Sequence, residues 1–516
     1  MTRLTDFTSY ADAWRHFSKD ALWALFDGDR ARLNIAHECV DRHDPDRVAI
    51  RIAKTDGGDE IITFGELALA SNRFAQWLGA RGIAAGERVA IMAEPTLAFY
   101  AALFGTMKAG AVAVPLFTLF GPDGLKLRVE DCAPSVLLLA PEKRDLAASV
   151  QVPVVIADNA FLAELAAMPA SFEPVMDADA MAMFQYTSGT TRELPEAVKH
   201  RHRAIVTVTI AALYATGVRP GDRFMCPSSP AWGHGLWHGT LAPLALGVTI
   251  AAYTGPFRPE RLVQALDDFA VTNLSAAATH YRMMRNSGAL AGRRMELEKL
   301  TFTGEAMDGA TAEWVRDTFG QYARSFYGST EVGVVLAGFP GAADFEFKPG
   351  SLGKPVPGVE VAVLGPDGRP AAAGEVGEIN VKRQGTWFPI KDLGHVDAEG
   401  HFFHDGRADD VIISAGWTMS AQEIEDTLLK HPDVREAAVI AVPDATRGQV
   451  AKAFIVSPRP GDDAFVKEIQ DHAKSRLAHH EYPRQVAFAA SLPKTPAGKI
   501  NRKALRDAVA AGAQET

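Results

Sequence analysis

The stretch ERVAIMAEPTLAFYAALFGTMKAGAVAVPL limits what this chain can fold into more tightly than any other. Arg88 to Met92 reads as a buried strand, Leu97 to Lys108 as a helix, Gly110 as its stop and Ala111 to Val114 as the next strand. Strand, helix and strand with joints this short require a parallel sheet covered by helices. The pattern returns further on. SVLLLAPEK and VPVVIAD add short strands near a helical segment from Asn159 to Ala167. Then come a helix from His202 to Thr216, the strand-like DRFMCPSS and a helix through GTLAPLALG. The expected fold is α/β, with two doubly wound sheets in one large N-terminal region.

From Gly350 to Arg383 the texture becomes rich in glycine and proline. Val359 to Leu364 and Glu378 to Val381 read as strands, with GPDG as the turn closing the first. A small antiparallel sheet or β-barrel-like subdomain is expected here. After HDGRADDVIISAG comes a compact α+β pattern. Ser420 is placed to cap a helix that turns Ile424, Thr427 and Leu428 inward. EAAVIAVP, VAKAFIVS and RQVAFA are strands, and Asp463 to Leu477 is an amphipathic helix with Phe465, Val466 and Ile469 on one face. The expected division is an N-terminal domain over 1–405, a joint at 406–410 and a small C-terminal domain over 411–516.

Of the 516 residues, 47% are hydrophobic and 22% charged, a globular balance rather than a disordered one. A formal net charge of −10 speaks against a nonspecific nucleic-acid surface. Cys39, Cys132 and Cys226 are odd in number and far apart, with neither metal-ligand spacing nor a disulfide framework. That fits a reduced, cytoplasmic compartment. The N-terminus has no apolar signal core, and Lys108, Gly110 and Pro115 interrupt the longest apolar run, so no membrane span is expected.

The chemistry is carried by short strings. YTSGTT sets the hydroxyls of Thr187, Ser188, Thr190 and Thr191 around Gly189 after a strand. Amides approach closely at glycine and hydroxyls donate to phosphate oxygens, which makes an anion nest. It is not a P-loop, because no Gly-Lys-Ser/Thr follows. YGSTE, Tyr327 to Glu331, groups an aromatic ring, a hydroxyl and a carboxylate, suited to stacking a base, holding a phosphate and ligating Mg2+. TGEAM, Thr303 to Met307, offers exposed backbone beside it. Asp392, an acceptor suited to ribose hydroxyls, precedes Arg407. Near the end, LPKTPAGKINRKALR sets Lys499 after Gly498 in a segment that otherwise reads as loop.

In this order and spacing, the strings resemble the acyl- and aryl-adenylate-forming (ANL) superfamily, from Asn34 to Arg506. The segments GRADDVIISAGWTMSAQEIEDTLLKHPDVREAAVIAVPD and EYPRQVAFAASLPKTPAGKINRKALR look most like short- and medium-chain acyl-CoA synthetases. The resemblance implies a large N-terminal domain and a small mobile lid that rotates between two half-reactions. A carboxylate is first joined to the α-phosphate of ATP, and the acyl-adenylate then meets the thiol of CoA. It implies that Thr187, Ser188, Gly189, Thr190 and Thr191 hold the β- and γ-phosphates, Thr330 contacts the α-phosphate and Glu331 holds Mg2+. Asp392 and Arg407 would hold the ribose, and Tyr327 would flank the adenine. Gly304, Glu305, Ala306, Gly328 and Ser329 would complete the nucleotide site. Lys499 would reach in from the lid to neutralise charge as the new bond forms. Asp409 would be the hinge. Gly416 and Trp417 would lie against the pantetheine arm of CoA, with Arg484 as a candidate for its phosphates. Lys499, the second lysine of PKTPAGK, is also a candidate for a lysine acetyltransferase. Assembly as a homodimer is left open.

Two features depart from the family pattern T-S-G-T-T-G-x-P-K-G-V. TSGTTRELPEAV is one residue longer, with Arg192 at the first glycine, Glu196 at the lysine and Ala197 at the second glycine. Arg192 or Lys199 could compensate. The segment before the ribose aspartate is shortened to RQGTWFPIKD, and Lys391 replaces the usual glycine, where it could add back positive charge near ATP. These changes keep open a degenerate homologue that binds acyl or nucleotide ligands without turnover.

Gly328 bears on the acid. Acetate-specific relatives carry tryptophan at the matching position, so glycine implies a longer pocket, with Trp232, His234, Val332 and Gly333 as candidate walls. Such a pocket suits a medium-length aliphatic or an aryl acid. CoA is the favoured acceptor, because no carrier domain is fused and the lid resembles acyl-CoA synthetases. A free-standing enzyme that loads a separate carrier protein is the alternative.

Overall fold

Arg88–Met92, Leu97–Lys108 and Val112–Pro115 form the strand–helix–strand unit that the sequence demands. The computed structural model describes residues 3–186, 197–329, 332–407, 411–414, 417–444, 448–477, 482–495 and 499–510. The chain divides into two compact units. Met1–Gly304, Val315–Phe347 and Val356–Gly358 form the first, and Glu305–Trp314, Lys348–Pro355 and Val359–Thr516 the second.

In the first unit, one sheet runs in the order Val154–Ile156, Val136–Leu139, Arg88–Met92, Val112–Pro115, Met181–Gln185, Val198–Arg201. Its strands are parallel except for the last pair. The chain winds outward in opposite directions from the two central strands, as a doubly wound sheet must. The helix Leu97–Lys108 is buried from Ala98 to its last residue. Lys108 is fully buried, and its ammonium donates to Asp41 Oδ1 at 2.5 Å and to Asn72 Oδ1 at 2.7 Å. A buried cation needs such partners, since removing one leaves an uncompensated charge.

The second sheet of this unit places Arg324–Ser329, Lys299–Thr303, Asn273–Ala277, Arg223–Met225, Thr249–Thr254 and Val48–Lys54 side by side and parallel. Antiparallel strands flank them, Gly333–Ala337 at one end and Glu60–Thr63 at the other. The helix expected through GTLAPLALG starts earlier, as a π-helix over His234–Leu241 that continues into Ala242–Ala245. Gly235 explains why it fits, because a Cβ there would run into the carbonyl oxygens of Ser228 and Ser229. A wide turn is therefore pressed onto the segment leaving the strand Arg223–Met225. Such π-turns concentrate at functional sites.

In the second unit, Val361–Leu364, Gly377–Arg383, Thr386–Val396, Phe402–Arg407 and Ser351–Pro355 pair in that order, all antiparallel. The shortened segment is closed by Gln384 and Gly385, both at positive φ (48° and 84°), between the paired Arg383 and Thr386. That is the two-residue hairpin link whose twist matches the strands. The C-terminal sheet runs Trp417–Ser420, Val411–Ser414, Gly448–Val456, Glu436–Asp444, and Gln485–Phe488 joins Gly448–Val456 in parallel. Ile424, Leu428, Phe465 and Ile469 pack one face, while Val466 is only half-buried. Residues 408–410 of the expected joint, with the hinge candidate Asp409, lie outside the described residues.

Candidate active site

Ligands of open α/β sheets bind beyond the carboxyl ends of the strands. Several strands of the first unit run, in sequence, straight into candidate residues. Met181–Gln185 leads through Tyr186 to Thr187, Lys299–Thr303 leads to Gly304, and Arg324–Ser329 leads to Thr330. Trp232 and His234 follow the strand Arg223–Met225. Thr187, Ser188, Gly189, Thr190 and Thr191, with Arg192 and Glu196, lie outside the described residues, as do Thr330, Glu331 and Gly416. Tyr186, the last described residue before the segment expected to hold phosphate, is buried, and its hydroxyl donates to Asp131 Oδ2 at 2.5 Å. Lys199 pairs in register with Phe184 and holds its ammonium 5.2 Å from that ring.

Tyr327, Gly328 and Ser329 end one arm of a hairpin whose other arm starts at Gly333, and Ser329 pairs with Gly333 across it. In the sequence, residues 330–332 link the two arms. A bulge between Tyr327 and Gly328 shifts the register beside the site, and bulges re-aim side chains at such places. A Cβ on Gly328 would run into the Gly333 carbonyl oxygen. Glycine at 328 is thus required by the close approach of the two arms, a backbone reason that pocket length does not supply. Gly304 has φ +95°, in the region that favours glycine. Glu305 and Ala306, expected beside it, fall in the second unit.

In the second unit, Asp392 is buried and pairs with Arg407 across neighbouring strands. His404 Nε2 lies 3.9 Å from Asp392 Oδ1. Towards Gly377–Arg383 the pairing jumps from Glu378–Leu393 to Asn380–Pro389, so Ile390, Lys391 and Asp392 bulge out of the ladder. Lys391 sits in this bulge at φ +67°. The lysine thus occupies a left-handed position that glycine fills without strain. A lysine there costs about 1–2 kcal/mol, of which glycine's greater unfolded-state freedom would take back about 0.5–1 kcal/mol. Lys391→Gly is expected to raise the thermal unfolding midpoint; a lower midpoint would contradict the left-handed assignment.

Lys499 is half-buried and tied down by its backbone. Its amide donates to Thr495 Oγ1 at 3.3 Å, and its carbonyl accepts from the Thr495 amide at 2.7 Å. Just beyond it, Arg502 grips the buried carboxylate of Glu425 with Nη2 at 2.5 Å from Oε2 and Nε at 3.2 Å from Oε1. Glu425 also accepts from the Val439 amide at 2.7 Å. This fork fastens the lysine segment to the helix Ala421–Leu428. The charge pattern of a helix-borne Glu and a distant Arg gave no sign of it in the sequence. Arg484 stacks on Tyr482, 4.8 Å from the ring centroid, and its amide donates to Ala451. Arg407 and Trp417 are placed by backbone alone, on Phe402–Arg407 and Trp417–Ser420.

Of the candidate walls, His234 packs against Phe326 and Trp232 packs against His234. His234 is buried, with Nδ1 3.0 Å from Ser228 Oγ and Nε2 2.9 Å from Ser275 Oγ. Both ring nitrogens are thereby committed to serine hydroxyls, so the ring serves as fixed wall. Trp232 meets His234 edge-on at 5.3 Å, and His234 meets Phe326 at 5.5 Å. His238, one turn on, meets the same phenylalanine at 5.5 Å. Sequence reading missed His238 because nothing in its spacing separates it from a core residue.

The AMP-binding enzyme family matches residues 37–387, and the AMP-binding enzyme C-terminal domain matches 423–499. The chain belongs to the AMP-binding enzyme family, within the adenylate-forming superfamily that its strings resemble. Among individual proteins, it is similar to the "uncharacterized acyl–CoA ligase YtcI" of Bacillus subtilis, 31% identical over 87% of this chain and 91% of that one. It is also similar to the acetyl-coenzyme A synthetase of Bacillus subtilis, 29% identical over 96% and 94% of the two chains. The crystal structure of a Brucella canis acyl-CoA synthetase superposes with a TM-score of 0.76 at 30% identity, covering 98% of this chain and 100% of that one.

Proposed function

We propose that this chain joins a medium-length aliphatic or aryl carboxylic acid to CoA at the expense of ATP, through an acyl-adenylate. A carboxylate oxygen attacks the α-phosphorus and the bond to pyrophosphate breaks. The CoA sulfur then attacks the acyl carbon and the bond to AMP breaks. The observation that carries this reading is the hairpin Arg324–Ser329/Gly333–Ala337. Its first arm lies parallel to Lys299–Thr303, and in the sequence a hydroxyl and a carboxylate, Thr330 and Glu331, follow directly on that arm. An acyl-CoA synthetase among the relatives supports the same reaction class.

Within that reading, Tyr327 and the 187–191 loop would hold the nucleotide, and Asp392 with Arg407 the ribose. Glu331 would hold Mg2+, which offsets phosphate charge. Lys499 would act from a C-terminal lid over 411–516 that turns about Asp409, and Gly416, Trp417 and Arg484 would meet CoA in the second half-reaction. Acetylation of Lys499 would remove the charge on which the first half-reaction depends; acetylated protein with full adenylation activity would rule that control out. Three buried, unpaired cysteines fit a reducing compartment, and no helix among the described residues is long and apolar enough to cross a membrane.

The test is pyrophosphate release over a panel of carboxylic acids with ATP and Mg2+, with and without CoA. Acid-dependent pyrophosphate and a CoA thioester are expected. Silence with every acid would favour a ligand-binding homologue, and pyrophosphate without thioester would favour a carrier protein as acceptor.

A further inference from the structure

The π-helix His234–Leu241 presents two imidazoles to Phe326, and they differ in one respect. His234 has both nitrogens on serine hydroxyls. His238 has a buried Nδ1 with no hydrogen-bond partner. His200 Nε2 and His202 Nε2 share that condition, but His200 packs against Trp237 and His202 holds the Ile35 amide. Of these three rings, His238 is the one against Phe326, two residues before Gly328 on the strand that leads to Thr330. Burial holds its pKa down at about 4, so the ring is neutral near pH 7. A neutral imidazole offers one donor and one acceptor. Leaving a buried polar nitrogen unpaired weakens whatever state it belongs to by roughly 10- to 100-fold.

Resting on the acid–CoA ligase reading, we propose that the acid taken by this chain carries a hydroxyl group on its tail and that His238 Nδ1 binds it, which makes His238 a specificity residue. A hydroxyl both donates and accepts, so it satisfies either tautomer. Trp232 and Phe326 supply the apolar wall for the rest of the tail. A site built to bind a hydroxyl rejects the acid that lacks one, because the nitrogen is then left unpaired.

The experiment measures kcat/KM for pyrophosphate release on pairs of acids matched in length or ring and differing by one hydroxyl. Wild type, His238→Phe and His238→Gln are compared. Wild type is expected to favour the hydroxy acid of at least one pair by about 10-fold or more. His238→Phe should lower kcat/KM for the hydroxy acid by about 10-fold more than for its unsubstituted partner, erasing the preference, and His238→Gln should retain part of it. Equal use of every pair by wild type, or an equal loss on both acids in His238→Phe, overturns the proposal. The wild-type comparison decides the matter even if His238→Phe fails to fold. Pyrophosphate release with no acid at all responding removes the ligase reading itself, and the proposal with it.

Discussion

Lys499→Ala is expected to slow acyl-adenylate formation by about 10²–10³-fold and to leave thioester formation from supplied acyl-adenylate near the wild-type rate. The first half-reaction brings a carboxylate onto a phosphate, so two anions must share one small volume. The loop proposed to hold phosphate carries Glu196 where the family pattern has lysine. A point cation delivered from elsewhere becomes correspondingly more important. The structure holds that cation's backbone rather than leaving it on a loose tail. Thr495 closes around the Lys499 peptide on both sides, and the Arg502–Glu425 fork anchors the following helix Arg502–Ala510. The second half-reaction involves a neutral acyl carbon and needs no such charge. Rapid mixing of protein, ATP and acid, read by pyrophosphate release, isolates the first step. Pyrophosphate release at the wild-type rate in Lys499→Ala would refute the role.

What the sequence made legible depended on the range of the physics involved. The strand–helix–strand unit at Arg88–Pro115 was readable because periodicity and the Gly110 stop are local signals, and the strand came out one residue from its expected place. The antiparallel sheet after Val359 also followed from local texture and turn residues, whereas the order of strands and the hairpin Arg324–Ser329/Gly333–Ala337 did not. Gly328 was legible as a glycine but not for its reason, because the carbonyl of Gly333 that forbids a Cβ is placed by a bulge in the opposing arm. Lys391 was legible as a departure from the family, while the left-handed backbone beneath it was not. His238 and Glu425 were illegible for a third reason. Each becomes significant through partners brought together by tertiary packing, Phe326 in one case and Arg502 in the other. The same packing decides which histidines stay neutral, and that has a large consequence for stability.

Unfolding below about pH 6.5 is expected to be steep. His43, His200, His202, His238 and His280 are each held down to about 4 from an ordinary 6.5, in every case mainly by burial. At His43 the neighbouring Arg42 adds to the effect. The unfolded chain therefore takes up these protons first as pH falls. Stability from the five is fully present above about 6.5 and is lost progressively as pH drops through 4. Near pH 5.5 the loss is about 1 kcal/mol for each histidine, several kcal/mol together, against a typical total of roughly 5–15 kcal/mol. Asp41 and Glu425 oppose the trend, because burial raises their carboxyl pKa values. Asp397, lowered to about 2 and salt-bridged to Lys348, adds to the acid loss below its ordinary carboxylate range. A series of thermal unfolding midpoints from neutral pH downward is expected to be flat above about 6.5 and to fall steeply below it. A midpoint that holds steady from neutrality to pH 5 would mean that these rings take up protons in the folded protein, and that the interior of the first unit is wetter around them than its packing indicates.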